Sequence, residues 1–254
     1  MQLTILGCSG GVGSSAATTS FLVDDSVLLD AGTGASELAT ASMAELQDIF
    51  LTHAHLDHVA LLPLMLATAF EDLSDPLRIH ARPETIRALE THIFNWQLWP
   101  DFTEMLGRQR SVVDFQAMEP GDTRSLAGGT ITMLPVVHSV PAAGYLLNGQ
   151  DQNLAFSGDC TSNEVFWQSL NGLSTLDHLI VEVGLANEKR DIAHELCHYT
   201  PELLARDLEQ LVHDPVIWLT HITPGDEQRI LDQCRQTIQG RDVRLLQRNQ
   251  VIEL

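Results

Sequence analysis

Four side chains that can bind a metal ion lie within six residues of this chain: His53, His55, Asp57 and His58. They directly follow an apolar run at 48–52 that predicts a buried strand, and they precede a stretch at 59–70 that predicts a helix. A short turn between a strand and a helix can point several side chains at one place. Imidazole binds Zn, Fe, Ni and Cu, and a carboxylate can bind a harder ion or bridge two ions. A solvated histidine-rich turn is the alternative, but strand end, helix start and ligand types agree in favouring a metal site.

Three further candidates each follow a strand-like run: His138 after 131–137, Asp159 after 153–158 and His221 after 216–220. A lone histidine is more often a packed or surface residue than a ligand. Active sites in layered α/β proteins collect at strand ends, however, and this placement occurs three times. We therefore expect these residues to supply the second half of the site.

In this order, the seven residues resemble the signature of the metallo-β-lactamase fold superfamily, which is H-x-H-x-D-H followed by a His, an Asp and a last His. The resemblance covers nearly the whole chain and implies an α/β fold, a four-layer αβ/βα sandwich. It also implies two divalent metal ions, zinc by default, with Mn or Fe fitting the same ligands. One ion would be held by His53, His55 and His138, the other by Asp57, His58 and His221, with Asp159 bridging them. The stretch 29–32 resembles a family element in which Asp30 orients a ligand histidine.

The segment 92–101 resembles the H-[IV]-F-N…W-P-[DN] segment of class II cyclic-nucleotide phosphodiesterases. Core packing accounts equally well for its aromatic residues, but it does not account for Asn95 or for the Trp-Pro-Asp end. The context at 51–58 fits the same enzymes, whereas Leu61 stands near a position where their pattern has glycine. This resemblance implies hydrolysis of 3′,5′-cyclic nucleotides to 5′-nucleotides.

The stretch 198–204 resembles a His-x-Thr element shared by class II phosphodiesterases and ribonuclease Z. The resemblance implies that His198 gives a proton to the leaving 3′-oxygen, and we expect Glu182, at the end of a strand, to hold it. A surface position flanking a helix is the alternative for His198.

The same resemblance implies that water between the ions would attack phosphorus, oriented by Asp57 or Asp159. The candidate substrate contacts are Ser9, Asn95 and Ser157.

Two short motifs match other enzyme classes by chance. The stretch 194–198 reads H-E-x-x-H, which binds zinc only when both histidines share one helix. Thr200 is a good N-cap and Pro201 a good first helical residue, so we expect the helix to begin after the motif. The stretch 7–11 reads G-x-S-x-G, but a Gly/Ser/Thr-rich segment and then a strand follow it, where a nucleophile elbow needs a helix. We interpret it as a flexible turn beside the substrate pocket.

Length and composition are consistent with a single domain over 1–254 whose core needs no disulfides. The four cysteines are scattered, which is typical of reduced thiols in a cytoplasmic protein, and Cys160 is expected to be a small buried residue. The chain opens on a strand at 2–6, and the longest apolar run, 59–69, contains Pro63 and is too short to cross a bilayer. We therefore expect no membrane segment. Further helices are predicted at 83–94, 162–170, 201–212 and 225–236, the third with leucines 203, 204, 208 and 211 in the core.

The formal net charge is -20, from 14 Lys plus Arg against 34 Asp plus Glu. This charge would repel a polyanion such as tRNA, and no dense run of basic residues offsets it. A cyclic nucleotide carries a single negative charge, so we expect a small phosphate ester as the substrate, no nucleic-acid polymer as a partner, and a homodimer as the candidate assembly. The alternatives are a ribonuclease Z-like phosphodiesterase, an arylsulfatase and a non-catalytic metal-binding or sensing protein.

Overall fold

The computed structural model describes residues 1–104 and 110–254. Its first sheet has seven strands. In spatial order the first four pair antiparallel with one another, and the fourth to the seventh pair parallel. In spatial order they are β14 (Val251–Glu253), β1 (Gln2–Gly7), β2 (Ser20–Val23), β3 (Val27–Leu29), β4 (Asp48–Phe50), β5 (Leu77–Ala81) and β6 (Val113–Ala117).

The second sheet also has seven strands. In spatial order the first four pair parallel with one another, and the fourth to the seventh pair antiparallel. In spatial order they are β13 (Val243–Leu245), β12 (Val216–Thr220), β11 (His178–Glu182), β10 (Asn153–Phe156), β9 (Ala143–Asn148), β8 (Gly129–Pro135) and β7 (Thr123–Leu126).

Each of the five predicted helical segments contains helix in the structure, whereas the helices at Thr40–Ala44 and Arg190–Leu196 were not predicted. The helices are α1 (Thr40–Ala44), α2 (Leu56–Val59), α3 (Leu62–Ala69), α4 (Pro83–His92), α5 (Glu164–Asn171), α6 (Arg190–Leu196), α7 (Pro201–Leu208) and α8 (Glu227–Thr237), with 3-10 turns at Thr33–Glu37 and Asn187–Lys189.

Three apolar clusters separate four layers. One cluster lies between the inner faces of the two sheets and contains the Phe21–Phe156 ring pair. The other two lie between each sheet and its own helices. Because side chains alternate along a strand, β12 sends Trp218 to the inner cluster and Ile217 and Leu219 to the outer one. This arrangement confirms the predicted α/β class and the four-layer αβ/βα sandwich.

Helix boundaries differ from the predicted ones where local chemistry intervenes. The helix predicted at 59–70 is two helices. α2 begins directly after the extended residue His55, and α3 begins at Leu62, because Pro63 has no N–H with which to continue α2. The helix predicted at 201–212 ends at Leu208, and the carbonyl oxygens of Leu208 and Leu211 accept hydrogen bonds from Arg241 instead. As expected, three of the leucines of this segment are buried in the outer core and Leu203 packs against it.

The prediction of no helix at the H-E-x-x-H motif is wrong, since α6 contains its first three residues. The helix ends at Leu196 because Cys197 adopts a left-handed backbone, so His198 leaves the helix and does not share a face with His194. The four cysteines are free thiols, and Cys160 is buried. No helix in the described ranges is long and apolar enough to cross a membrane.

Candidate metal centre and active site

The histidine-rich turn joins β4 to α2 and folds its side chains back on one another. His55 is extended and directly precedes α2, while His53 and His58 are fully buried. The ring centroid of His53 lies 4.5 Å from that of His55 and 4.3 Å from that of His58. The turn therefore points its imidazoles at one place.

The second half of the chain brings its predicted ligands to the same place. The ring of His138, just beyond β8, lies 5.0 Å from the rings of His53 and His55. His221, directly after β12, places Nε2 3.0 Å from Asp57 Oδ2 and 3.1 Å from Asp159 Oδ2. The structure thus brings together all seven residues that the sequence singled out as ligands.

These seven residues form two groups that share one carboxylate. Within each group the candidate ligand atoms lie within 4.8 Å of one another. The first group is His53, His55, His138 and Asp159, and the second is Asp57, His58, Asp159 and His221. Asp159 is buried and belongs to both groups, so a single carboxylate lies within reach of both candidate sites.

Asp30 sets the proton positions of two of the histidines. Its buried carboxylate accepts hydrogen bonds from the Thr52 amide at 2.8 Å, the Thr52 hydroxyl at 2.8 Å and His58 Nδ1 at 2.7 Å. Because the Thr52 hydroxyl donates to Asp30, it accepts at 3.0 Å from His53 Nδ1. Both imidazoles therefore carry a proton on Nδ1 and turn Nε2 towards the site. Burial lowers the pKa of His58, but Asp159 and Asp30 raise it well above its usual value, so a cation would replace a second proton on its Nε2.

His138 is oriented in the same way by a backbone group. Its Nδ1 lies 3.0 Å from the carbonyl oxygen of Cys197, which can only accept. Cys197 has φ of 59°, and Asp30 and His221 have φ of 56° and 57°, so three residues of the site adopt the left-handed backbone that side chains usually avoid.

The buried atoms of the cluster fit metal ligands. In the described part of the chain, Nε2 of His53 and Nε2 of His58 are buried without a hydrogen-bond partner. Burial, with the nearby charge of His58, holds the pKa of His53 well below its usual value, so this imidazole is neutral. Burial alone would raise the pKa of Asp159, but His221 and His58 hold it well below its usual value, so this carboxylate is ionised. Neutral imidazole and ionised carboxylate are the forms that bind divalent ions.

His198 and Glu182 form a pair at the edge of this cluster. His198 Nδ1 donates to Glu182 Oε1 at 2.8 Å, and the His198 ring stacks on His221 with centroids 5.2 Å apart. Burial lowers the pKa of His198, but the charge of Glu182 raises it to about 9. Glu182 is itself buried at the end of β11, where the amides of Cys160 and Gly184 donate to its two oxygens. His198 is thus a fixed, protonated group facing the candidate ligands.

The three candidate substrate contacts lie in different settings. Ser9 pairs with Ile222, next to His221, and so lies beside the cluster. The Ser157 hydroxyl is buried; it donates to the carbonyl of Gly158 and accepts from the Glu182 amide, so it supports the Glu182 strand. Asn95 Oδ1 accepts from the amides at 97 and 98 and its Nδ2 donates to the Thr91 carbonyl, which caps a local turn. We therefore retain only Ser9 as a proposed substrate contact.

Sequence reasoning missed two supports of the site. Thr52 relays the hydrogen bond from His53 to Asp30, and its position directly before the histidine cluster was the available signal. The Tyr199 hydroxyl donates to the buried carboxylate of Asp207 at 2.8 Å and accepts from Trp167 Nε1 at 3.2 Å. No sequence spacing indicates this second network, because its members come from α5, α7 and the loop between α6 and α7.

Two sheets faced by helices, with a His/Asp cluster suited to metal binding at the strand ends, define a metal-dependent hydrolase fold. A family model described as "Beta-lactamase superfamily domain" matches residues 25–222, a span that includes all seven candidate ligands. The chain belongs to this superfamily, and its fold is that of the metallo-β-lactamase proteins.

Curated relatives carry two kinds of name. A "Probable 3′,5′-cyclic-nucleotide phosphodiesterase" of Yersinia pestis is 28% identical over 223 residues, covering 78% of this chain and 60% of the relative. A "3′,5′-cyclic-nucleotide phosphodiesterase" of Aliivibrio fischeri is 29% identical over 178 residues, covering 64% and 52%. A "Ribonuclease Z" of Bradyrhizobium diazoefficiens is 33% identical over 144 residues, covering 54% and 46%. The chain thus spans about half to three fifths of the length of these relatives.

Solved structures show the same fold over the whole chain. Unliganded yeast PDE1 matches with a TM-score of 0.79 at 18% identity, covering 100% of this chain and 99% of that one. The metallo-β-lactamase fold protein YhfI from Bacillus subtilis matches with a TM-score of 0.78 at 18% identity, covering 99% and 98%. At such identities the similarity concerns the fold alone.

Proposed function

We propose that the protein is a phosphodiesterase that hydrolyses 3′,5′-cyclic nucleotides, such as cyclic AMP and cyclic GMP, to 5′-nucleotides. The observation that carries this proposal is the position of the His198–Glu182 pair against two candidate metal ligands, His138 and His221. A proton donor beside a site for two cations is what cleavage of a phosphodiester with a poor leaving group requires.

Two divalent ions are proposed for the two ligand groups, with Asp159 shared between them. Zinc is the default, and Mn or Fe accepts the same imidazole and carboxylate donors. When bound, the ions would lower the pKa of a water between them and offset negative charge on the phosphoryl oxygens.

The remaining steps belong to side chains of this chain. Asp57, whose side chain is 31% exposed, and Asp159 orient the attacking water, whose oxygen ends on phosphorus. Glu182 engages Nδ1 of His198, so the proton on Nε2 is available for the 3′-oxygen as the bond from phosphorus to that oxygen breaks. The product is a 5′-nucleotide with a free 3′-hydroxyl group.

The charge of the protein favours a small ester over a polymer. A net charge of -20 opposes the approach of a polyanion, whereas a cyclic nucleotide has one negative charge that bound cations would offset. The relatives named ribonuclease Z support the same chemistry on RNA, so pre-tRNA is the second candidate substrate.

The test is hydrolysis of cyclic AMP and cyclic GMP by protein loaded with zinc or manganese, with the products separated by chromatography. We expect turnover to the 5′-nucleotide, and its loss in Asp159→Ala. Asp151→Ala is the matched control because Asp151 is an exposed aspartate in the turn between β9 and β10.

Pre-tRNA and an aryl sulfate are assayed with the same preparations. Cleavage of either one in place of the cyclic nucleotides, abolished by Asp159→Ala, would refute the proposed substrate while retaining the proposed catalytic centre. Release of the 3′-nucleotide would contradict the role given to His198, since a different oxygen would then be the leaving group.

A further inference from the structure

A cavity of about 350 Å³ opens beside His198, between α6 and the start of α7. It is lined on one side by Arg190 and Asp191 and on the other by Leu203, Arg206 and Glu202. Its volume is within the range of small-molecule sites. The cavity thus lies next to the proposed proton donor and is large enough for a ligand of nucleoside size.

The two arginines of this cavity are not held by strong ion pairs. Arg190 Nε lies 3.7 Å from Asp191 Oδ1, and Arg206 Nε lies 3.6 Å from Asp207 Oδ1. Their side chains are 77% and 67% exposed, and neither guanidinium makes a hydrogen bond within the described ranges. Long, exposed pairs of this kind contribute little, so both cations are available to a ligand.

The arginines share the cavity with carboxylates, which indicates what kind of ligand fits. Glu202 lies in the first turn of α7, is exposed, and forms no ion pair in the part of the chain that the structure describes. A purely anionic ligand would meet repulsion from Glu202 and Asp191. A nucleobase suits such mixed walls, because it has N–H donors for a carboxylate, ring acceptors for a guanidinium and a π-face on which an arginine can stack.

The direction of bond breaking places the nucleoside on this side of the site. In an in-line displacement the attacking water and the leaving oxygen lie on opposite sides of phosphorus. His198 would protonate the leaving 3′-oxygen, and that oxygen is attached to the ribose. The ribose and its base must therefore extend from phosphorus past His198, which is where the cavity begins.

One buried network joins the cavity wall to the proton donor. Tyr199, the neighbour of His198, donates its hydroxyl proton to Asp207 Oδ2 at 2.8 Å, and Asp207 directly follows Arg206 in α7. Trp167 Nε1 donates to the same Tyr199 hydroxyl. Because this network is buried, it fixes the wall of the cavity relative to His198.

We propose that this cavity is the nucleoside subsite of the enzyme, with Arg206 and Arg190 against the base and Glu202 accepting its N–H groups. The proposal rests on the proposed function in taking a nucleotide as the substrate. It makes Arg206 and Glu202 residues that determine specificity.

Binding of the reaction product tests the subsite without turnover. Calorimetry on zinc-loaded protein measures the affinities for 5′-AMP, 5′-GMP and inorganic phosphate. We expect the nucleotides to bind at least about tenfold more tightly than phosphate, and Arg206→Ala to lose about tenfold for the nucleotides, as for removal of one stacked or charge-assisted contact. Arg124→Ala, which removes a cation on β7 whose Nη1 donates to the Thr123 carbonyl, is the matched control and should bind as the wild type does.

Glu202→Gln adds a test of base recognition. Guanine has two adjacent N–H groups for a carboxylate, whereas adenine offers a single amino group, so we expect a larger loss for 5′-GMP than for 5′-AMP. Arg206→Lys, which keeps the charge, should recover part of the affinity lost in Arg206→Ala. Circular dichroism and melting temperature confirm that each variant is folded.

The outcomes separate this proposal from the proposed function. Wild-type affinities equal for nucleotide and phosphate, or Arg206→Ala and Glu202→Gln proteins that bind nucleotides as the wild type does, would overturn the subsite even if cyclic nucleotides are hydrolysed. Tight nucleotide binding that depends on Arg206, in a protein that leaves cyclic nucleotides intact, would support the subsite and refute the proposed substrate.

Discussion

Replacing Asp30 by asparagine is expected to weaken metal binding, although Asp30 is not among the candidate ligands. Its carboxylate accepts three hydrogen bonds, two from Thr52 and one from His58. The side chain at position 30 must accept hydrogen bonds at both of its oxygens. Only then is the proton of His58 held on Nδ1 and, through the Thr52 hydroxyl, the proton of His53 held on Nδ1 as well. These proton positions leave both Nε2 atoms free to bind a cation.

An asparagine amide has one accepting atom and one donating atom, so it can satisfy this network in only two ways. If its nitrogen takes the place of Oδ2, it needs an acceptor at His58 Nδ1, and the proton moves to the Nε2 that should bind metal. If its nitrogen takes the place of Oδ1, it faces the Thr52 amide, and two buried donors meet. An unsatisfied buried donor costs about 1–3 kcal/mol. The metal-bound state would bear this cost, which corresponds to roughly a 5- to 150-fold loss of affinity.

Competition with a chromophoric chelator measures this affinity. Asp48→Asn is the matched control, because Asp48 is also a buried carboxylate that bonds a histidine, His80 Nε2 at 2.7 Å, but it lies at the start of β4, remote from the strand end that carries the ligands. We expect Asp48→Asn to lose stability and keep wild-type metal affinity. A folded Asp30→Asn protein that binds both metals as tightly as the wild type would refute the reasoning.

Three further outcomes follow from the geometry. His198→Ala should keep its metal content, measured by elemental analysis, while kcat falls about 10²- to 10⁴-fold. Because the charge of Glu182 raises the pKa of His198 against the effect of burial, wild-type kcat should decline on the alkaline side as His198 loses its proton, and Glu182→Gln should move this decline to lower pH. Burial alone would raise the pKa of Asp48, but its hydrogen bonds to His80 and Arg78 bring the pKa below its usual value. The contribution of Asp48 to stability is therefore full above about pH 4 and is lost in acid. Urea titrations should show that the loss of unfolding free energy in Asp48→Asn shrinks between pH 7 and pH 3, and a constant loss would contradict this. Gly10→Ala would push a methyl group into the backbone of His221, a candidate ligand, and should lower metal affinity, whereas Gly13→Ala, with 3.5 Å to its nearest neighbour atom, should not. Equal affinities by calorimetry would count against the proposed crowding.

The residues that converge on the site could be identified from the sequence because each follows a strand. His138, Asp159 and His221 lie far apart along the chain, but strand ends in layered folds meet at one edge. The four-layer arrangement came from the resemblance that these residues carry, and the two sheets confirm it.

The sequence does not predict which hydrogen-bonding partner each polar side chain has in the fold. Ser157 and Asn95 have the chemistry of substrate contacts, yet the folded backbone occupies their oxygens locally. Helix α6 was missed because its short sequence has no strong N-cap, and Thr200 with Pro201 indicated only the next helix. The cavity beside His198 was not foreseen either, since Arg190 and Arg206 approach it from separate helices.

The left-handed backbone at Asp30, Cys197 and His221 lowers the stability of the fold at three positions of the candidate site. Each such residue costs of the order of 1 kcal/mol or more relative to an unstrained conformation, and glycine would remove that cost. Glycine at these positions would also remove a candidate metal ligand and the carboxylate that orients two other candidates. The strain is therefore retained where the site needs these residues, and engineering of this protein for thermal stability should leave all three positions unchanged.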